Sequence, residues 1–165
     1  MVRLFVQQVA VLAGAVMFMM SMERLATFSH PILLWDDAEK LVKDRQSLPG
    51  VGRIYYNRGT EWLKIDKLDS ALSDLQTATR LSPKLSAAFG NLGQVYSKTG
   101  QNELAIQAFS RAITLDQEQK LHPNYKYYFS RAMDYEAQQK WPEASADYQV
   151  SCLLAKKGCD KTSLH

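Results

Sequence analysis

The sequence has little cysteine, glycine, proline or net charge. Two cysteines in 165 residues are too few for a disulfide-built scaffold or a four-cysteine zinc site. Eight glycines, five prolines and a hydrophobic fraction of 46% exclude collagen-like repeats and wholesale disorder. A formal charge of +3 is too small to indicate a nucleic-acid-binding protein. The composition is therefore that of an ordinary globular chain, about one domain long.

The apolar residues are concentrated at the N-terminus. From Leu4 to Met22 there is no charged side chain, and a helix of that length nearly crosses a hydrocarbon core. Arg3 and the amino group would stay in the cytoplasm, so the rest of the chain would be exported. We therefore predict a transmembrane anchor at residues 1–24. The protein is expected to be a single-pass membrane protein with a periplasmic or otherwise extracytoplasmic body.

Two other interpretations of this N-terminal segment stay open. It could be a cleaved signal peptide whose apolar region is Val9 to Met20, although residues 22–24 do not form a small-residue cleavage pattern. It could also be a buried core helix, but such a helix usually keeps a polar stripe. Residues 25–51 follow as a predicted linker and partial helical repeat.

The body of the chain repeats itself at a spacing of 34 residues. Gly59 and Gly93 are separated by this distance, and the residues around them recur in step. The matched pairs are Tyr55 with Phe89, Asn57 with Asn91, Trp62 with Tyr96, Ala71 with Ala105, Leu75 with Phe109, and Ala78 with Ala112. This pattern resembles the tetratricopeptide repeat (TPR), in which each unit is a pair of antiparallel helices.

The resemblance implies an all-α fold. An N-terminal transmembrane helix would precede a short solenoid of about three helical hairpins at residues 52–158. In each hairpin, the small Gly59 or Gly93 is expected to let Ala71 or Ala105 approach closely.

The resemblance extends weakly beyond the two clear repeats. Residues 35–46 are predicted to form the second helix of an incomplete unit. A third, degenerate unit follows an insertion at residues 120–124. It keeps the family's offsets at Tyr128, Ala132, Tyr135, Ala144, Tyr148 and Ser151.

Catalytic and metal-binding patterns are lacking in the sequence. His30, His122 and His165 are isolated from one another, so we predict no metal site. Acidic residues such as Asp66 and Asp69 flank a predicted turn between helices, where solvated carboxylates are common. The aromatic residues fall at packing positions of the repeat, which argues against nucleic acid as a ligand. We therefore predict no enzyme activity and no cofactor.

The resemblance also implies a partner-binding groove, because the first helices of stacked repeats line a concave wall. The wall is mildly basic, which favours an extended or acidic peptide. The side-chain amides of Asn57 and Asn91 occupy equivalent places and are expected to form a short ladder for a peptide backbone. Some family members clamp the C-terminal carboxylates of heat-shock chaperones, but Tyr56, Thr60 and Ser130 depart from that pattern. The candidate groove residues are Arg53, Tyr56, Asn57, Thr60, Lys64, Asn91, Gln94, Lys98, Lys126 and Phe129.

The C-terminal end is predicted to be an interface. The tail, residues 159–165, is too short for the helix that normally caps a repeat array. We therefore expect an uncovered apolar patch that binds a second copy of the chain or a larger complex. Its predicted members are Tyr148, Val150, Leu153 and Leu154. The alternative is a tail that folds back over the patch.

Cys152 and Cys159 are seven positions apart. In one unbroken helix their Cα atoms would be about 10 Å apart, beyond the reach of a disulfide. Gly158 is expected to end the helix, and an exported location would favour a bond between the two sulfurs. A disulfide and two free thiols both stay open.

The predicted function is that of a membrane-anchored TPR module. It would bind a partner protein or peptide and serve as a scaffold or accessory subunit of a membrane complex. An alternative follows from residues 34–36, Pro49 and Arg53, which resemble the tail of multispanning bacterial glycosyltransferase-like proteins. Under this alternative, the chain is an accessory subunit or fragment of such an enzyme.

Overall fold

A computed structural model describes residues 30–162 of the chain. Within this range the chain forms seven α-helices followed by a short 3-10 helix, Cys159–Lys161. The α-helices are α1 (Pro31–Val42), α2 (Val51–Lys64), α3 (Leu68–Leu81), α4 (Ser86–Lys98), α5 (Asn102–Glu118), α6 (Tyr125–Ala137) and α7 (Trp141–Ala155).

The predicted membrane anchor, residues 1–24, lies outside the described residues. Among residues 30–162, none of the helices combines the length and the apolar character that crossing a bilayer requires.

The helices pack in sequence as a solenoid of antiparallel pairs. The hairpins are α2 with α3, α4 with α5, and α6 with α7, and each hairpin packs against the next. Helix α1 packs on α2, as expected for the second helix of an incomplete unit. It spans Pro31–Val42 rather than the predicted residues 35–46. Proline is favoured in a first helical turn, which accounts for the start at Pro31.

The positions that recur along the sequence form the core of each hairpin. Ala71, Leu75 and Ala78 are fully buried on α3, and so are their counterparts on α5. In the third unit, the corresponding positions on α7 are also fully buried. These counterparts are Ala105, Phe109 and Ala112 on α5, and Ala144, Tyr148 and Ser151 on α7.

A large side chain of the second helix lies directly against each repeat glycine. A Cβ on Gly59 would lie 2.9 Å from Leu75, and a Cβ on Gly93 would lie 2.8 Å from the Phe109 ring. The close approach of Ala71 and Ala105 to these glycines stays a prediction. The larger side chain one turn further along the second helix reaches across and fills the space above the glycine.

Ion pairs between a half-buried arginine and a buried aspartate join the two helices of the first and third hairpins. Arg58 donates two hydrogen bonds to Asp74, at 2.8 and 2.9 Å, and Arg131 bonds Asp147 in the same way. These hydrogen bonds to Asp74 hold the pKa of Arg58 above its ordinary value. Arg58 also donates to Asp36 at 2.9 Å, which ties α1 to the first hairpin.

The tail folds back over the last hairpin. A disulfide joins Cys152 to Cys159, and Gly158 packs so closely on Tyr148 that a Cβ would lie 2.6 Å from its ring. Lys161 donates to Glu136 at 2.8 Å, and Glu136 also accepts from the Tyr148 hydroxyl at 2.6 Å.

The predicted uncovered patch is therefore wrong for Tyr148, which is fully buried. The tail is too short for a capping helix, and the alternative, a tail that folds back, describes what happens at Tyr148. One 3-10 turn is nevertheless long enough to lie over a single ring. Val150 is half-buried, whereas Leu153 and Leu154 are exposed.

Candidate functional site

The predicted groove residues lie on the first helix of each hairpin. Helices α2 and α4 pack side by side, and so do α4 and α6. The cations Arg53, Lys64, Lys98 and Lys126 are exposed. The other six predicted groove residues are half-buried: Tyr56, Asn57, Thr60, Asn91, Gln94 and Phe129.

The Asn91 amide is held by a side chain of the neighbouring repeat, and the ladder that Asn57 and Asn91 would offer to a peptide backbone stays a prediction. The side-chain amide of Asn91 donates to the Thr60 hydroxyl at 2.8 Å, and that hydroxyl donates to the Tyr56 carbonyl at 2.7 Å. Thr60 therefore holds Asn91 across the contact between α2 and α4. This link orients the Asn91 amide on the wall of the groove.

Nearby carboxylates partly neutralise the basic charge of the wall. Lys64 pairs with Glu61 at 2.7 Å, and Lys98 pairs with Asp66 at 2.8 Å. Both pairs involve exposed ammonium groups, so each contributes little to stability. They nevertheless lower the net positive charge that a ligand would meet, which weakens the electrostatic argument for an acidic peptide.

A cavity of about 400 Å³ opens between the second and third repeats. Two of the predicted groove residues, Gln94 and Lys98, line it together with residues of α5 and α6. The further lining residues are Ser97, Asn102, Phe109, Ser130, Met133, Asp134 and Ala137.

Asp134 is the functional candidate that sequence reasoning missed. Its residue is 4% exposed, and its carboxylate accepts a hydrogen bond from the Ser97 hydroxyl at 2.7 Å. Burial raises the pKa of Asp134 to about 6, and the Ser97 hydrogen bond opposes that shift. The equivalent position in the second repeat is the fully buried Val95. The equivalent position in the first repeat is the half-buried Glu61, so the repeat pattern alone did not single out Asp134.

Phe129 has a structural role beside any contact with a ligand. Its ring packs edge to face with Tyr148, with ring centroids 5.7 Å apart, and it borders the buried cluster of the third hairpin. Aromatic pairs in this arrangement stabilise a core beyond the area they bury.

Comparison with known proteins identifies the architecture. Residues 86–119, which comprise α4 and α5, match the family model of the tetratricopeptide repeat. The crystal structure of MamA superposes with a TM-score of 0.63, covering 74% of this chain and 67% of that chain at 24% identity. Residues 30–162 adopt the TPR fold.

Other similar proteins match this chain over part of its length. The chloroplastic TPR domain-containing protein PYG7 of Arabidopsis thaliana is 30% identical over 71 residues, which is 43% of this chain and 24% of the relative. The first TPR of Spaghetti (RPAP3), bound to an HSP90 peptide, has a TM-score of 0.59 at 21% identity and covers 67% of this chain and 84% of that chain. The chain spans about a quarter or less of the length of the first curated relatives it matches.

Proposed function

We propose that the chain is a non-enzymatic interaction module whose TPR groove binds a partner protein or extended peptide. The observation that carries the proposal is the wall formed by α2, α4 and α6. It presents oriented polar groups such as Asn91 beside a cavity of about 400 Å³. The Spaghetti TPR, whose structure contains an HSP90 peptide, supports a peptide as the type of ligand. Tyr56, Thr60 and Ser130 argue against a chaperone tail as the specific partner.

We also propose a single-pass membrane anchor with an extracytoplasmic body, acting as a scaffold or accessory subunit of a membrane complex. The uncharged stretch from Leu4 to Met22 and the nearby Arg3 support this topology. A disulfide between Cys152 and Cys159 accords with an oxidising compartment. A phosphatase active only outside the cytoplasm, fused after His165, should be active. Activity of a cytoplasm-specific reporter alone would reverse the orientation.

The groove is tested by charge reversal at two exposed positions. The full chain in detergent is used to capture partners, which are cross-linked and identified by mass spectrometry. The Arg53→Glu/Lys126→Glu variant should lose partners whose cross-links map to α2, α4 or α6. The new carboxylates would repel acidic groups of a partner that contacts Arg53 and Lys126 in the wild type. A multispanning enzyme among those partners would support the accessory-subunit form of the proposal.

The matched control reverses two exposed lysines outside the predicted groove, Lys43→Glu/Lys84→Glu. It changes the net charge by the same amount and should retain the partners. If both variants retain the partners equally, or lose them equally, binding in the groove is contradicted.

A further inference from the structure

Asp134 is a buried carboxylate whose hydrogen-bond partner is a neutral hydroxyl. It lies on α6, faces the Ser97 hydroxyl of α4 at 2.7 Å and is 4% exposed. Among residues 30–162, no lysine, arginine or histidine forms an ion pair with it. Buried acids are normally paired with a cation or bound to a metal. Asp134 therefore differs from Asp74 and Asp147, which each bind an arginine.

The groups around Asp134 do not supply the missing positive charge. Lys98 is the one basic residue that lines the same cavity, and its ammonium group is bonded to Asp66 at 2.8 Å. From α5 the cavity receives Asn102 and Phe109, which carry no charge. The carboxylate thus faces a cavity that has room for a cation from outside the chain.

The shape and lining of the cavity limit what that cation can be. Phe109, Met133 and Ala137 supply apolar walls, and Asp134 supplies the negative charge. Lysine and arginine side chains combine a long apolar stem with a cationic end, so they can cover apolar surface while they satisfy a carboxylate. The cavity belongs to the wall of the groove, where a bound peptide would lie.

Burial of this carboxylate is unfavourable for the fold and calls for a compensating role. Desolvation raises the pKa of Asp134 to about 6, which means that the ionised form is destabilised in the native state. The equivalent position holds the fully buried Val95 in the second repeat and Glu61 in the first, so the fold accepts an apolar residue here and does not require an acid. A position where stability is lost without a structural gain is typical of a binding site.

We propose that the cavity between α4 and α6 binds the cationic side chain of a lysine or arginine in the partner, with Asp134 as its counter-ion. This inference rests on the proposed function, because it assigns one subsite of the groove. It also refines the partner, which should carry a basic residue at this point although exposed cations line the rest of the wall.

The test uses the single methionine of the cavity as a reporter. Met133 is the only methionine beyond residue 22, so labelling the full chain in detergent with methyl-¹³C methionine gives a signal that Met133→Leu assigns. The probes are n-butylguanidinium and n-butylammonium, which imitate the two side chains, and 1-pentanol and pentanoate, which are neutral and anionic. At about pH 7.5 the two cations should shift the Met133 signal saturably, and 1-pentanol and pentanoate should bind about tenfold more weakly or not at all.

Two variants separate charge from fold. Asp134→Asn keeps the shape of the side chain and an oxygen that accepts from the Ser97 hydroxyl. Because it removes the negative charge, it should weaken binding of the cations about tenfold. Asp44→Asn removes the same charge from an exposed residue outside the cavity and should leave their binding unchanged. Lowering the pH to about 5 should weaken their binding to the wild type, because Asp134 becomes protonated. The pH change should have little effect on Asp134→Asn.

Three outcomes would overturn the inference. The first is that the cations do not shift the Met133 signal. The second is that 1-pentanol binds as tightly as the cations. The third is that Asp134→Asn binds the cations as tightly as the wild type does. The probe selectivity is measured on the wild-type chain, so the test does not depend on the variant's fold. If the cations fail to bind while Arg53→Glu/Lys126→Glu still loses its partners, only the subsite is wrong. If the cations bind while that variant keeps its partners, the proposed function is wrong instead.

Discussion

At the scale of single residues, Asp134 carries an energetic cost that a substitution can reveal. The ordinary pKa of this carboxyl is 3.8, and burial raises it to about 6 in the folded protein. Between these two values the native state binds more protons than the unfolded state, so stability falls as the pH rises through this window. The penalty is fully present above about pH 6 and absent below about pH 4.

We therefore expect Asp134→Asn to stabilise the protein at neutral pH by about 1–3 kcal/mol. Urea denaturation at about pH 7.5 should show a higher midpoint than the wild type, and the gain should disappear at about pH 4. Asp44→Asn, an exposed change of the same charge, serves as the control and should have little effect. A loss of stability at neutral pH would mean that the Asp134 carboxylate has a stabilising partner in solution.

At the scale of helices, one pair of facing positions holds an ion pair in two hairpins and apolar residues in the other. The first and third hairpins hold a buried arginine–aspartate pair, Arg58 with Asp74 and Arg131 with Asp147. The second hairpin has the buried Leu92 and Ala108 at the equivalent positions. A buried ion pair stabilises little compared with well-packed apolar residues, but loss of one member leaves an uncompensated charge.

This comparison predicts how the third hairpin responds to substitution. Arg131→Leu alone should lower the free energy of unfolding by about 3–5 kcal/mol, because Asp147 loses its buried partner. Arg131→Leu/Asp147→Ala, which copies the second hairpin, should recover most of that loss. Thermal melting of the two variants and the wild type measures the difference. Equal destabilisation by both variants would show that Arg131 acts mainly through packing or through its hydrogen bond to Ser110.

At the scale of the whole molecule, the described chain is a short array with a different structure at each end. The N-terminal end is α1, linked through Asp36 to Arg58. The C-terminal end is the tail, which the Cys152–Cys159 disulfide and the Lys161–Glu136 ion pair hold over Tyr148. The exposed Leu153 and Leu154 remain candidates for a contact with another chain.

Reduction of the disulfide should loosen the C-terminal end. The bond closes a short loop, so its loss should lower stability by about 2 kcal/mol and expose the Tyr148 ring. A lower melting temperature in dithiothreitol, read with tyrosine absorbance, measures both effects. The Cys152→Ser/Cys159→Ser variant should melt at the reduced temperature and show no response to dithiothreitol. A reductant effect on this variant would assign the change to something other than the disulfide.

The sequence by itself determined the helical hairpins, their order and the helices that form the wall of the groove. Few arrangements other than stacked helical hairpins are compatible with small and large apolar residues that recur every 34 positions. The pattern reports which residues of the two helices in one hairpin face each other. The sequence also predicted that Gln94 and Lys98 line the groove, because both lie on the first helix of a hairpin. Both side chains line the cavity between the second and third repeats.

Only the tertiary structure decided the contacts between hairpins and at the ends of the array. The five-residue insertion shifts the third unit, so no constant offset pairs Ser97 with Asp134 across two repeats. The burial of Tyr148 depends on how the tail crosses the last hairpin. Such contacts arise from three-dimensional packing between segments, and a repeat pattern along one chain carries no information about them.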